Sequence, residues 1–157
     1  MNKKYCSLGL MSGTSLDGVD ASIILSDGEK KLDIIDNYYE KYDDEFKLKL
    51  KEFINNVTDT EYIKKNRDTY RKLENQLTIR HAEVSKKIIN KNKDTKIDFI
   101  GFHGQTILHK PQKGISIQMG DPNLLSQFLK KKIYFNFRQN DILNGGQGAP
   151  LTPIYHY

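Results

Sequence analysis

The stretch LGLMSGTSLDGVD, residues 8–20, decides the fold of this chain. The run over residues 6–11 is typical of a β-strand, and a second apolar run covers residues 19–25. Between the two runs lies Asp17-Gly18, a dipeptide that is strongly favoured in tight hairpin turns. The stretch therefore predicts two antiparallel strands joined by a polar turn that contains glycine.

The predicted turn has the composition of a phosphate-binding site. Gly13 lets a ligand approach the backbone closely, and it lies among the hydroxyls of Ser12, Thr14 and Ser15. Free N–H groups and hydroxyls in a tight turn form a concave surface that suits phosphate oxygens. A plain hairpin with a polar turn explains the same residues equally well, since short glycine motifs often occur by chance.

Two common phosphate motifs are excluded by the residues around the turn. No G-K-[ST] follows the glycine, and no G-x-G-x-x-G lies between a strand and a helix. The turn instead resembles the phosphate-binding β-hairpin of the sugar-kinase and actin-like ATPase superfamily. That superfamily usually has an aspartate two residues before the Gly-Thr, where this chain has Met11. The candidate carboxylates for a magnesium ion are therefore Asp17 and Asp20.

Length and composition favour one cytoplasmic domain. The 157 residues are enough for a single core. No apolar run approaches the ~20 residues needed to cross a bilayer, and no signal-peptide pattern follows the N-terminus. The one cysteine, Cys6, is expected in the core of a protein in a reducing compartment. The net charge of +5 comes from lysines interleaved with acidic residues, so we expect neither a nucleic-acid nor a membrane partner.

The pattern along the chain predicts an α/β fold. A third strand is expected over residues 31–42, followed by helices over residues 43–55 and about 60–90. His81 falls on the apolar stripe of the second helix and is expected to pack in the core. The apolar run over residues 97–102 is typical of a central strand that ends before His103.

The last part of the chain completes the predicted sheet. A hairpin is expected after His109, then a helix with Asp121 as N-cap and Pro122 in its first turn. The final strand is predicted over residues 133–137. We therefore expect a mixed five-stranded sheet, with three antiparallel strands followed by two parallel ones, flanked by helices.

Polar residues cluster at the ends of three predicted strands. The clusters are residues 12–20, residues 103–106, and residues 138–141 with the glycine-rich loop over residues 144–153. Hydroxyls, amides, an arginine and several aspartates suit phosphate and polyol chemistry. A serine hydrolase would need G-x-S-x-G, and a zinc site would need spaced Cys and His residues, and both patterns are absent.

Four motifs in order carry a family resemblance. They are LGLMSGTSLDGVD (8–20), GFHGQTILHKP (101–111), QMGDPNLL (118–125) and FRQNDILNGGQGAPLTP (137–153). With them, the chain is similar to anhydro-N-acetylmuramic acid kinases, bacterial enzymes of cell-wall recycling. The resemblance implies a ribonuclease H-like or actin-like ATPase lobe. Because members of this family run to roughly twice this length, residues 1–157 are expected to form a single N-terminal lobe.

The resemblance also implies a reaction and its site residues. ATP would phosphorylate O6 of 1,6-anhydro-N-acetylmuramic acid while water opens the ring at C1, with Asp141 as general base for the water. Mg²⁺ would accompany the ATP, with Asp17 and Asp20 as its weak ligand candidates. The implied ATP-binding residues are Gly13, Thr14, Ser15, Leu16, Asp17, Gly18, Val19 and Asp20. The candidate sugar contacts are His103, Gln105, Thr106 and Arg138.

Some alternatives stay open at this point. His103 is equally consistent with a histidine that only bonds the backbone, and Asp141 with a cap of the turn over residues 140–143. Asn136 stands where the family usually has aspartate. The adenosine pocket and the second lobe would follow Tyr157, so the chain alone is expected to be inactive. The expected partners are ATP and a small sugar, a homodimer is one option, and the alternative function is a non-catalytic binding module.

Overall fold

The first three strands form an antiparallel meander that opens a mixed sheet. The computed structural model describes residues 3–149. The strands are β1 (Tyr5–Ser12), β2 (Gly18–Ser26), β3 (Leu32–Lys41), β4 (Phe99–Lys110), β5 (Ile115–Met119) and β6 (Ile133–Phe135). The helices are α1 (Asp44–Asn56), α2 (Thr60–Lys65), α3 (Arg67–Lys91), α4 (Pro122–Leu129) and α5 (Gln139–Leu143), and a 3₁₀ turn covers Pro111–Lys113.

The sheet order confirms the predicted fold class and adds one strand. The strands run β3-β2-β1-β4, with β1 parallel to β4 and antiparallel to β2. Next to β4 lie both β6, which is parallel to it, and β5, which is antiparallel. The sheet therefore has six strands where five were predicted, because the hairpin expected after His109 returns along β4 and joins the sheet.

Strand β4 is longer than its apolar run predicts. It continues through His103 to Lys110, so the expectation that the strand ends before His103 was wrong. Gly104 has a left-handed conformation (φ +68°) inside the strand, and the register with β1 shifts between Leu10 and Ser12. On its other edge, β4 pairs with β6 before this irregularity and with β5 after it.

The helical layer follows local signals at most positions. Asp43 caps α1 by accepting a hydrogen bond from the Phe46 N–H at 2.7 Å, and Asp121 caps α4 ahead of Pro122, as predicted. The single helix predicted over residues 60–90 is broken at Asn66 into α2 and α3. There the Asn66 side chain donates to the Tyr62 carbonyl, competing with a continuous helix.

Helices α1, α3 and α4 cover one face of the sheet. The core forms where alternate residues of β1, β2 and β4 meet the apolar stripes of α1 and α3, including Leu8, Ile23, Leu50, Leu77 and Ile100. Cys6 is buried in this cluster, as expected. The opposite face of the sheet exposes side chains such as Met11. Among residues 3–149, no helix is both long and apolar enough to cross a membrane.

Strand β3 forms one edge of the sheet. Its Ile34 and Ile35 are exposed, while Asp36 and Glu40 form ion pairs with lysines of α3. A β-bulge at Ile35 of β3, opposite Ile23 and Ile24 of β2, interrupts the ladder between the two strands. The edge strand is thus fastened to the helical layer by charged groups.

Candidate functional site

The turn between β1 and β2 has the predicted hairpin geometry. Its N–H···O bond runs from Leu16 to the Gly13 carbonyl at 3.2 Å. Leu16 adopts a left-handed conformation (φ +54°) and is nevertheless buried, so its side chain anchors the turn in the core. Thr14 and Ser15 remain exposed above it. The turn therefore presents main-chain groups and hydroxyls to solvent over an apolar anchor.

One carboxylate is organised within this turn. The Ser15 hydroxyl donates to Asp17 Oδ1 at 2.6 Å, and this hydrogen bond is the main cause of a lowered pKa of the Asp17 carboxyl. Asp20 lies on the exposed face of β2, in register with Met11 and Tyr39. Burial raises the pKa of the Tyr39 phenol, and the nearby charges of Asp17 and Asp20 raise it further. Both carboxylates thus lie within electrostatic reach of one phenol.

The polar cluster of β4 is divided between the two faces of the sheet. The left-handed Gly104 shifts the alternation of side chains, so that Phe102 and Gln105 both face the core. Gln105 is only 1% exposed, and its Oε1 accepts a hydrogen bond from the Ser12 hydroxyl at 2.7 Å. His103 is half-buried on the other side of the strand. The turn after β1 and the middle of β4 are therefore joined by a buried hydrogen bond.

Arg138 fixes the protonation state of His103. Its Nε donates to His103 Nε2 at 2.9 Å, and its second donor reaches the Gly148 carbonyl at 2.7 Å. Because a guanidinium has only donors, His103 Nε2 must accept, and the ring proton lies on Nδ1, which donates to the Gly104 carbonyl at 2.9 Å. Burial and the Arg138 charge lower the pKa of His103, partly offset by the Gly104 bond. His103 is a neutral imidazole at neutral pH.

These segments enclose a cavity. It has a volume of about 410 Å³ and opens where the β1–β2 turn, β4 and the segment around Arg138 meet. The predicted site residues in its lining are Gly13, Thr14, His103, Gln105, Thr106 and Arg138. The structure thus brings together the four predicted sugar contacts and two residues of the predicted phosphate turn. Phe137 adds an apolar surface that the sequence did not single out.

The other predicted ATP-binding residues lie outside this lining. Leu16, Gly18 and Val19 are buried, and a Cβ on Gly18 would lie 2.3 Å from the Glu40 carbonyl oxygen. Gly18 therefore allows β2 and β3 to approach each other closely. Ser15, Asp17 and Asp20 remain on or near the surface beside the turn. Their assignment to ATP stays a prediction.

Asp141 belongs to a short helix rather than to a loop. It lies in α5, half-buried, and its Oδ2 accepts a hydrogen bond from the Gly148 N–H at 2.6 Å. A Cβ on Gly146 would lie 2.2 Å from the same carboxylate, so a larger residue there would displace the Asp141 side chain. Asp141 thus holds the segment whose Gly148 carbonyl accepts from Arg138. Residues 150–153 of the glycine-rich loop lie outside the described residues.

Asn136, at the position where aspartate was expected, has a left-handed conformation (φ +61°). Asparagine is among the non-glycine residues that adopt this conformation most readily. The residue lines a second cavity of about 330 Å³ on the other side of His103, together with Gln118 and Gln139. The substitution is therefore compatible with the local backbone.

A magnesium ion is compatible with the acidic residues near the turn. Within residues 3–149 there is no cluster of three or more His, Cys, Asp or Glu side chains able to hold a metal. Magnesium in phosphoryl-transfer sites, however, is held by one or two carboxylates together with the substrate phosphates. Asp17 keeps Oδ2 free of the Ser15 bond, and Asp20 is exposed beside it. Hard oxygen donors of this kind suit the ion.

The site also includes Ser12, which the sequence had placed beside Gly13, and Tyr42, which the sequence did not indicate. Their buried hydroxyls are bonded to each other at 3.0 Å, and Ser12 also lines the cavity. Nothing in the local pattern around Tyr42 indicates that its hydroxyl points back to β1.

Sheet order, strand directions and the polar turn after β1 together define a class of protein. They describe a lobe of the sugar-kinase and actin-like ATPase class, with its candidate site at the ends of β1 and β6 and the middle of β4. The sequence profile of the family described as anhydro-N-acetylmuramic acid kinase matches residues 5–157. The chain belongs to this family.

Curated relatives support the same membership. The chain is 53% identical to anhydro-N-acetylmuramic acid kinase of Pelagibacter ubique (strain HTCC1062), over 99% of this chain. It is 36% identical to the protein of that name from Rhizobium etli and 37% identical to that from Brucella canis, each over 96% of this chain. In all three cases the match covers 41% of the relative. The chain thus spans less than half the length of these relatives.

Proposed function

We propose that the full-length protein is an ATP-dependent kinase that converts 1,6-anhydro-N-acetylmuramic acid into N-acetylmuramic acid 6-phosphate. The observation that carries the proposal is the cavity of about 410 Å³, where the Gly13–Thr14 turn faces His103 and Arg138. Main-chain groups and hydroxyls suited to phosphate meet hydrogen-bonding groups suited to a sugar there. Membership of the family named for this activity supports the same conclusion.

Different residues of this lobe would bind the ATP phosphates, the metal ion and the sugar. The turn over residues 13–20 would bind the ATP phosphates, with Gly13 permitting close approach of the phosphate chain. Asp17 and Asp20 would hold Mg²⁺, which when bound neutralises charge on the phosphates. Arg138, which His103 holds through its Nε, would bind sugar hydroxyls and the developing negative charge through the N–H groups that His103 and Gly148 leave free.

The proposed reaction consumes one water. The water oxygen bonds to C1 of the sugar, the C1–O6 bond breaks, and O6 takes the terminal phosphoryl group as its bond to ADP breaks. The water proton passes to the Asp141 carboxylate. Asp141 is suited to this role because Gly148 binds only its Oδ2, which leaves Oδ1 without a hydrogen-bond partner within residues 3–149.

The remaining length of the full protein would supply what this lobe does not contain. Since the match covers 41% of each relative, we propose that the rest builds a second lobe that binds the adenosine and closes over the cavity. The whole enzyme would act in the cytoplasm, in recycling of the bacterial cell wall. On this view, residues 1–157 form one lobe that is inactive by itself.

The test uses the full-length protein with ATP, Mg²⁺ and the anhydro sugar. Release of ADP and formation of the 6-phosphate are measured for the wild type and for Asp141→Asn. Asparagine keeps an acceptor for the Gly148 N–H, so the melting temperature should hold, while kcat falls by roughly 10²–10⁴-fold.

A matched control is Asp121→Asn, the same chemical change at the N-cap of α4. It should leave both turnover and melting temperature near the wild type, because asparagine caps helices about as well as aspartate. Normal turnover by Asp141→Asn would refute its catalytic role and leave it as the residue that holds Gly148. No turnover by the wild type would favour a non-catalytic binding module.

A further inference from the structure

Tyr42 bonds to both ends of the turn after β1. It follows directly after β3, and its main-chain N–H donates to the Asp17 carbonyl at 2.8 Å. Its phenol donates to the Ser12 hydroxyl at 3.0 Å. Asp17 ends the turn and Ser12 begins it, so a single residue spans the segment that carries Gly13 and Thr14.

The hydrogen bonds on the Ser12 side have a fixed direction. Ser12 has one proton, which it donates to Gln105 Oε1 at 2.7 Å, so its oxygen accepts the proton of Tyr42. Gln105 in turn donates to the Thr106 carbonyl. Ser12 and Tyr42 are each 3% exposed and Gln105 is 1% exposed. In such a setting a lost bond leaves an unsatisfied polar group, which is costly.

Residues at the start of α1 fix the position of the Tyr42 ring. It packs edge-on against Phe46 with ring centroids 5.0 Å apart. The Arg80 guanidinium lies over the Phe46 ring, 4.0 Å from its centroid. Arg80 also forms an ion pair with Asp43, the N-cap of α1. Burial raises the pKa of Tyr42, so the phenol keeps its proton and remains a donor at all physiological pH values. The hydroxyl is therefore aimed at Ser12 by the first turn of α1.

We propose that Tyr42 is a positioning residue for ATP, because it holds the Gly13–Thr14 turn at a set distance from β4. This inference rests on the proposed function, in which the turn binds the phosphates and the residues of β4 bind the sugar. The two groups of residues meet across one cavity, and Tyr42, Ser12 and Gln105 form the buried connection beneath it. Small displacements between reacting groups lower the rate of group transfer strongly.

The test is Tyr42→Phe in the full-length protein. Phenylalanine keeps the packing against Phe46 and the main-chain bond to Asp17, and removes only the hydroxyl. We expect kcat/KM for ATP to fall about three- to tenfold, which is the range for one lost hydrogen bond. The KM for the sugar should stay within about twofold. A purely structural hydroxyl would lower the melting temperature and leave both KM values unchanged.

Tyr70→Phe is the matched control. Its hydroxyl is also half-buried and bonded, to Glu74 at 2.7 Å on α3, but it makes no contact with the turn. It should change neither KM. A second variant, Ser12→Ala, removes the partner of Tyr42, and the double variant should be no worse than Ser12→Ala alone if both act through one bond. Additive effects on kcat/KM for ATP would contradict the proposal.

Hydrogen exchange gives a readout that does not depend on turnover. The Leu16 amide closes the turn, so it should exchange faster in Tyr42→Phe than in the wild type or Tyr70→Phe. Unchanged exchange together with an unchanged kcat/KM for ATP would overturn the role of Tyr42. Absence of turnover by the wild type would instead refute the proposed function. Ser12→Ala breaks the same bond and decides the question if Tyr42→Phe does not fold.

Discussion

His81 predicts a loss of stability in mild acid. It is fully buried on α3, edge-on to Phe102 with ring centroids 5.1 Å apart. Its Nδ1 lies 2.8 Å from the Leu77 carbonyl, which can only accept, so the proton of the neutral ring is on Nδ1. Nε2 has no hydrogen-bond partner among residues 3–149. Protonating this nitrogen would place an unpaired charge in the core.

The size of the effect follows from the pKa values. Burial lowers the pKa of His81 from 6.5 to about 4; the Leu77 hydrogen bond partly offsets this effect, and the nearby His103 lowers the pKa further. The unfolded chain therefore takes up a proton below about pH 6.5, and the folded chain does not until about pH 4. Stability is complete above the unfolded pKa and falls by about 3 kcal/mol as the pH drops through this window. That is a large share of the stability of a typical domain.

The assay is urea unfolding of the wild type and of His81→Leu at pH 7.5, 6.0 and 4.5. Leucine fits an apolar site and cannot take up a proton, so the variant should lose about 2.5 kcal/mol less between the highest and lowest pH. Carboxylates titrate alike in both proteins, and the comparison cancels them. His109→Gln, at an exposed position, should keep the full loss of the wild type. An equal loss in His81→Leu and the wild type would refute the reasoning.

Two glycines give further predictions. Gly13→Ala should keep its melting temperature, because the new Cβ meets only Ser15 Oγ at 3.6 Å. The KM for ATP in the full-length protein should rise roughly tenfold, because the phosphates can no longer approach the backbone closely. An unchanged KM for ATP would show that Gly13 is not part of the phosphate site. Gly104→Ala should cost about 2–4 kcal/mol in urea unfolding, because its φ is positive and the Cβ would lie 2.3 Å from the Met119 carbonyl oxygen. Gly114→Ala, with similar φ and open space around it, should cost only about 1 kcal/mol, and equal losses at both positions would contradict the role of the close contact.

The parts of the fold that the sequence predicted well depend on local chemistry. Asp17-Gly18 reliably indicated the hairpin, and Asp121-Pro122 indicated the start of α4. The buried run before His103 correctly indicated a central strand, because β4 is paired with β1 on one edge and with β5 and β6 on the other. In each case a few adjacent residues determine the backbone by themselves.

The structure differs from the prediction where contacts with residues distant in sequence determine the backbone conformation. Gln105 was expected to contact sugar, and it does line the cavity, but the left-handed Gly104 also turns it into the core, where Ser12 binds it. That backbone conformation depends on close packing of Gly104 against Met119. The sequence around Gly104 does not indicate this packing. The break at Asn66 is equally hidden, since helical periodicity continues on both sides of it.

The sequence predicted most residues of the site but not the hydrogen bonds that join them. Family motifs pointed to His103 and Arg138, and the structure brings them into contact at 2.9 Å. The same motifs say nothing about Tyr42, whose contribution exists only because β3 returns beside the turn after β1. Connections of this kind require the three-dimensional fold.

The charged residues of β3 also bear on how the protein avoids self-association. A strand at the edge of a sheet offers unpaired backbone groups to any second chain, and exposed Ile34 and Ile35 would favour such pairing. A chain docking there would have to strip water from Asp36, Glu40 and their lysine partners, which is costly. The bulge at Ile35 of β3 increases the local twist and makes the edge a poor template. The ion pairs that fasten β3 to α3 thus also oppose the growth of β-aggregates from this edge.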